Sequence, residues 1–160
     1  MRDRRIDRYL SADRSAIYVD EGVAETDPSH RYRFTLAHEI GHWYLHEDLY
    51  AAAQGLGVPS FADFIDDIPT RDWSFYEWQA YSFAGLLLVP QDSRASHVRE
   101  AIDRAVQEGV PDLDVTIEAH RDFVAEWVGR AFQVSSAVIV KERWLRRTMA
   151  QVERIVGPSH

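Results

Sequence analysis

Between Phe34 and His46 the chain reads FTLAHEIGHWYLH, and within it His38, Glu39 and His42 form a His-Glu-x-x-His motif. On an α-helix, residues four apart share one face, about one turn (~6 Å) from each other. Two imidazoles so placed can reach one metal ion at ~2.0–2.1 Å, the distance that zinc–nitrogen bonding requires. Glu39 follows His38 directly, so its carboxylate flanks such an ion and can take a proton from water on it. The chemistry this pattern suggests is metal-assisted hydrolysis. The plainer alternative is an amphipathic helix whose histidines are surface residues.

A catalytic zinc needs a third protein ligand and an open position for water. In His-Glu-x-x-His-x-x-Gly-x-x-His sites a glycine and a third histidine follow, but this chain has Leu45 and Asp48 at those places, which disfavours Asp48. His46 extends the spacing of four, yet each such step rotates ~40° about the helix, leaving it ~80° around from His38. That direction suits support of a ligand, or packing, better than ligation. A carboxylate on a later helix remains, and Glu77 is the best placed. Its competing explanation is local. Ser74 and Glu77 have the Ser-x-x-Glu spacing of a capping box, and spacing alone does not separate the two.

The segment FTLAHEIGHWYLH, followed by Glu77-Trp-Gln-Ala80-Tyr81-Ser-Phe83-Ala84 and Leu86-Leu-Leu-Val-Pro90, resembles the ImmA/IrrE family of zinc metallopeptidases. That family carries R-F-T-x-A-H-E-x-G-H and then E-x-x-A-N-x-F-A-x-x-L-L-x-P. Ala131-Phe132-Gln-Val134-Ser135 resembles its later F-x-V-S segment. The resemblance implies Zn2+ held by His38, His42 and Glu77, with Glu39 as general base. It also implies regulatory proteolysis of a specific protein, often a helix-turn-helix, DNA-binding repressor. The chain departs from the pattern at Tyr81, where the family has Asn. Tyr81 lies one turn beyond Glu77 on the same helix face and is a candidate hydrogen-bond donor to the oxyanion. Tyr44, Tyr76 and His46 are its rivals.

The elements that must position these residues can be read in outline. Ile6 to Leu10 and Ala16 to Asp20 flank the polar segment Ser11–Ser15, as in a hairpin. If that hairpin lines a cleft, an extended substrate could add to its edge. Asp27 and Pro28 signal a helix start, and the motif helix is expected from about Pro28 to Asp48. Phe34, Leu36, Ala37, Ile40, Gly41, Tyr44 and Leu45 would be its inward residues. Residues 51–73 read as an irregular surface excursion, with a cleft flap as the sharper alternative. A helix from Ser74 to Val89, with Ala80, Phe83, Ala84, Leu87 and Leu88 inward, must stop before Pro90. Helices are further expected from about Arg94 to Glu108, from Thr116 to Phe132 with Val124, Val128 and Ala131 inward, and from Ala137 to about Ile155. The expected fold class is α+β and mainly helical: a small N-terminal hairpin packed on the motif helix, with several further helices.

At 160 residues the chain suits a single domain, with strands and loop over 1–27, a zinc-binding core over 28–90 and C-terminal helices over 91–160. Aromatic residues make up 12% of it, too many for a disordered chain. It has no apolar run of membrane-spanning length and no signal peptide, and it lacks cysteine, which excludes disulfides and thiolate zinc sites. A cytoplasmic protein is expected. The formal net charge of −8 argues against tight non-specific binding of nucleic acid. The function these features favour is a zinc-dependent metallo-endopeptidase. The alternative is a non-catalytic, zinc-containing regulator that binds a repressor or DNA through its C-terminal helices, where Lys141, Arg143, Arg146, Arg147 and Arg154 cluster. The intact Glu39 disfavours it, since a purely structural site needs no base.

Overall fold

Strands β1 (Arg8–Leu10) and β2 (Ile17–Val19) pair antiparallel in the register Arg8↔Val19, Tyr9↔Tyr18, Leu10↔Ile17. They come from a computed structural model that describes residues 8–20, 30–54, 64–109 and 118–141. The Ser11–Ser15 segment closes the hairpin as its composition suggests. Ser11 Oγ and the Ser15 amide both donate to Asp13 Oδ1, at 2.6 and 3.1 Å, while Arg14 takes a left-handed φ of 57°. Tyr9 and Tyr18 stack across the strands at 4.7 Å. A two-stranded ribbon this short is marginal alone, and two arginines tie it to the first helix, α1 (His30–Leu45). Arg8 Nε donates to Glu39 Oε1 at 2.9 Å, and Arg14 donates to the Trp43 carbonyl and to Glu47.

Helix α1 buries Ala37 and Gly41 of its expected inward face and half-buries Phe34 and Leu36, but it turns Ile40, Tyr44 and Leu45 outward and a polar stripe inward. Its buried residues are Thr35, Ala37, His38, Glu39, Gly41 and His42, whereas Ile40, Trp43, Tyr44 and Leu45 are exposed. The apolar count misleads because the polar stripe has partners across the helix, described below. Helix α1 also stops at Leu45, short of Asp48. After His46 the chain resumes as α2 (Glu47–Ala53), so the expected irregular region opens with regular helix. The proposed start at Asp27–Pro28 lies outside the described residues.

Tyr50 and Ala53 of α2 close on Leu10 of β1, and Phe64 and Ile65 from a helical turn over 64–67 pack against this cluster. Residues 55–63 of the expected excursion lie outside the described residues. Helix α3 (Thr70–Leu88) begins a turn before the expected Ser74. The Pro69 carbonyl accepts from the Asp72 and Trp73 amides at 2.9 and 3.0 Å, which starts the helix there. Ser74 Oγ donates to the Thr70 carbonyl at 2.7 Å. Ser74 is therefore inside the helix, and the capping box with Glu77 does not form. The helix stops where Pro90 requires, with Ala80 and Ala84 buried but Leu87 half-exposed.

The chain divides into two compact units, Met1–Ala84 and Gly85–His160, and the second is helical throughout its described part. It comprises α4 (Gln91–Gln107), α5 (Glu118–Phe132) and α6 (Ser136–Lys141). Helix α4 starts three residues before the expected Arg94, because Pro90 already sits extended as its N-cap. Just past its end Gly109 has a φ of 93°, which suits glycine. Val98, Ala101 and Ala105 recur at helical spacing on its buried side. Helix α5 buries Val124, Ala125, Val128 and Gly129, with Ala131 exposed rather than inward. The Val134 amide returns to the Gly129 carbonyl at 2.9 Å, turning the chain so that Val138 and Ile139 of α6 are buried. The rest of the expected last helix, with Arg143, Arg146, Arg147 and Arg154, lies outside the described residues. Among the described residues no helix is long and apolar enough to cross a membrane. The fold is mainly helical α+β, as its sequence suggests.

Candidate metal centre

Helices α1 and α3 meet where α1 is thinnest. An added Cβ on Gly41 would stand 3.0 Å from the Ala80 carbonyl oxygen and 3.2 Å from Phe83 Cδ1, so glycine is what allows this approach. Around that contact α3 presents Trp73, Tyr76, Glu77 and Ala80, a stripe at helical spacing. Trp73 stacks on the His42 ring at 5.9 Å and Tyr76 meets the His46 ring edge-on at 4.9 Å.

Inside this frame the three residues singled out from the sequence converge. His38 Nε2 and His42 Nε2 lie 3.1 Å apart. The Glu77 carboxylate oxygens stand 3.4 and 3.2 Å from those two nitrogens. Donor atoms from His38, His42 and Glu77 all fall within 4.8 Å of one another. A tetrahedral ion with bonds of ~2.0–2.1 Å has its ligand atoms ~3.3–3.4 Å apart, close to the separations here. The donor set fits a cation in a second way. Two imidazole nitrogens and a carboxylate converge from three side chains, and the two buried histidines are 3% and 2% exposed. His38, His42 and Glu77 can hold a metal ion.

The electrostatics favour an ionised carboxylate. Burial pushes the Glu77 carboxyl up, but hydrogen bonds from His38 and His42, and their charge, outweigh it and hold the group well below the usual carboxylate range. Burial and the neighbouring His42 both push the His46 imidazole down, against the Gln79 hydrogen bond. The Tyr50 phenol is held above its ordinary value, first by burial and then by the Glu39 and Glu77 carboxylates.

Glu39 is buried, and its Oε1 takes the bond from Arg8. A carboxylate has two oxygens and about four lone-pair sites, so an arginine on one oxygen is compatible with a water proton on the other. Of the residues considered for oxyanion stabilisation, Tyr81 packs its ring on Phe34 at 4.8 Å. Tyr44 stacks on Phe83 at 5.9 Å and is largely exposed. Tyr76 and His46 pack on each other.

Three residues near the site were not singled out by sequence: Arg8, Gln79 and Tyr50. Arg8 comes from 31 positions before Glu39, and nothing local marks it. Gln79 had a signal, since it follows Tyr76 by three residues and both reach His46. Tyr50 reads as an ordinary core aromatic and belongs to the Leu10 cluster as well.

No curated protein and no solved structure shows significant similarity to the chain. The family model described as IrrE N-terminal-like domain, of peptidase family M78, matches residues 22–142. That stretch carries α1, α3 and all three converging residues, and with it the chain belongs to the IrrE N-terminal-like family of metallopeptidase-like proteins.

Proposed function

We propose that the protein is a zinc-dependent endopeptidase that cuts a specific protein, a helix-turn-helix repressor being the class of substrate that its family resemblance suggests. The observation that carries this reading is the convergence of His38, His42 and Glu77 on one point, beside a buried Glu39. Two histidines and one glutamate match the ligand sets of hydrolytic zinc sites, which keep the fourth position open. Zinc there supplies Lewis acidity, polarising the scissile carbonyl and making water nucleophilic near neutral pH.

The remaining steps fall to the chain's own residues. Glu39 takes a proton from the attacking water and passes it to the leaving amine. Arg8, fixed on Glu39 Oε1, keeps that carboxylate from turning away. Trp73, stacked on His42, shields one side of the imidazole from water. Tyr81 remains a candidate donor to the oxyanion, although its ring packs on Phe34.

The test uses the zinc-loaded protein with helix-turn-helix repressors encoded beside its gene, products being identified by mass spectrometry. Cleavage at a defined bond by the wild type, and none by Glu39→Gln, is the expected result. Cleavage that persists in Glu39→Gln would remove Glu39 from the mechanism. Intact repressors with a zinc-loaded wild type would contradict the substrate class.

A further inference from the structure

The imidazole of His42 is engaged on both sides. Its Nε2 faces His38 and Glu77, while its Nδ1 lies 2.9 Å from His46 Nδ1. His46 is 4% exposed, and its other nitrogen, Nε2, lies 3.1 Å from Gln79 Oε1. His38 has no such support among the described residues: its Nδ1 is buried without a hydrogen-bond partner there.

When the rings are neutral, as metal binding requires, and Gln79 Oε1 faces His46, the protons in this chain have one arrangement. An amide oxygen has no hydrogen, so His46 Nε2 must donate to Gln79 Oε1. A neutral imidazole protonated on Nε2 has a bare lone pair on Nδ1. That lone pair must accept from His42, which therefore carries its hydrogen on Nδ1. His42 Nε2 is then bare, on the side where Glu77 and His38 converge. Turning the Gln79 amide over reverses every bond. It would put a hydrogen on His42 Nε2 and block the lone pair a metal needs.

We propose that His46 and Gln79 are positioning residues that hold His42 as its Nδ1–H tautomer, presenting its Nε2 lone pair to the metal. Ligating histidines commonly donate their second nitrogen to a carboxylate, a carbonyl or water. Here a third imidazole takes that place and a glutamine sets its direction. The inference rests on the metal-centre reading above, and it concerns how tightly the metal is held rather than what is cut.

Two measurements on the full chain test it. The first is nitrogen-15 NMR of the metal-free wild type at a pH where its histidines are neutral, which reports the tautomer of each histidine. His42 protonated on Nδ1 and His46 on Nε2 is the expected result; His42 protonated on Nε2 would overturn the proposal whether or not zinc binds. The second is zinc affinity by chelator competition, with folding followed by circular dichroism. His46→Phe keeps an aromatic ring and removes the acceptor; a loss of ~10–100-fold in affinity is expected. His46→Asn, whose amide oxygen stands near the position of Nδ1, should restore most of it. Equal affinity of folded His46→Phe and wild type would overturn the proposal, as would an Asn variant no better than Phe. Should His46→Phe not fold, Gln79→Met and Gln79→Glu decide in the same way: the first should weaken zinc and the second, which keeps an acceptor, should not. A wild type that takes up no zinc would refute the metal-centre reading instead, and the tautomer measurement separates the two failures.

Discussion

Helices α1 and α5 are of nearly equal length, and each buries one face within its own unit, but what they bury differs in kind. Helix α5 buries Val124, Ala125, Val128 and Gly129, an apolar stripe that requires no partners beyond close packing. Helix α1 buries Thr35, His38, Glu39 and His42 while leaving Ile40, Trp43, Tyr44 and Leu45 exposed. Every buried polar or charged side chain among the described residues lies between Thr35 and His46. Burying a polar group without a partner costs ~1–3 kcal/mol in proteins. An arrangement selected for stability alone would have turned the apolar side of α1 inward, as α5 does. The polar groups of α1 are tolerated because they answer one another and the residues of α3 and β1. That concentration is the physical mark of a site.

The contrast breaks first, and most widely, at Glu39. Replacing it by Gln keeps shape and removes the base; hydrolysis should fall by ~10²–10⁴-fold with zinc affinity nearly unchanged. The corresponding change on α5, Glu126→Gln, alters only an exposed ion pair and should leave activity and stability within ~0.5 kcal/mol of wild type. Parallel turnover and metal-binding assays check both.

Two glycines sharpen the comparison. A Cβ at Gly129 would stand 2.8 Å from the Val134 carbonyl oxygen, and one at Gly41 would stand 3.0 Å from that of Ala80. Each Gly→Ala change should destabilise by about 1–3 kcal/mol in urea denaturation. Only Gly41→Ala, by moving α1 off α3, should also weaken zinc. Equal zinc loss in both variants would mean that the site senses general stability rather than this approach.

Arg8→Met removes a donor to Glu39 while keeping the length of the side chain. Turnover should fall about tenfold, equivalent to ~1.4 kcal/mol, with zinc affinity unchanged. The pH response is the smallest effect. The folded His46 is pushed below its ordinary 6.5, first by burial and then by His42. The unfolded chain then binds this proton more readily, so stability is complete above about 6.5 and declines as pH falls below it. The melting temperature of the metal-free protein should drop over that range, and His46→Asn should reduce the drop. Glu77, held low, acts in a separate window. Its contribution is present above the ordinary carboxylate pKa and is lost only as pH falls below it.

The parts of this molecule legible in sequence are those whose signal is local. Ser11–Ser15 marked the hairpin, Pro90 ended α3, and His-Glu-x-x-His placed two histidines on one helix face. Glu77 was different, because Ser74 offered it a local explanation that spacing could not remove. The carbonyl of Pro69 removes it by starting α3 a turn earlier. The buried face of α1 was legible only in part, at Ala37 and Gly41, for a related reason. Apolar periodicity assumes that a helix turns its hydrophobic side inward, and it cannot register polar groups whose partners lie elsewhere in the chain. Arg8 and Gln79 share that limit, since each is defined by a contact more than thirty residues away.

The most direct test of the account is the zinc content and zinc affinity of the wild type beside Glu77→Ala. About one zinc per chain, with the affinity of Glu77→Ala reduced beyond the ~10–100-fold typical of losing an outer partner, is the predicted result. A wild type that takes up no zinc when it is supplied, or a Glu77→Ala variant that binds zinc as tightly as wild type, would contradict it.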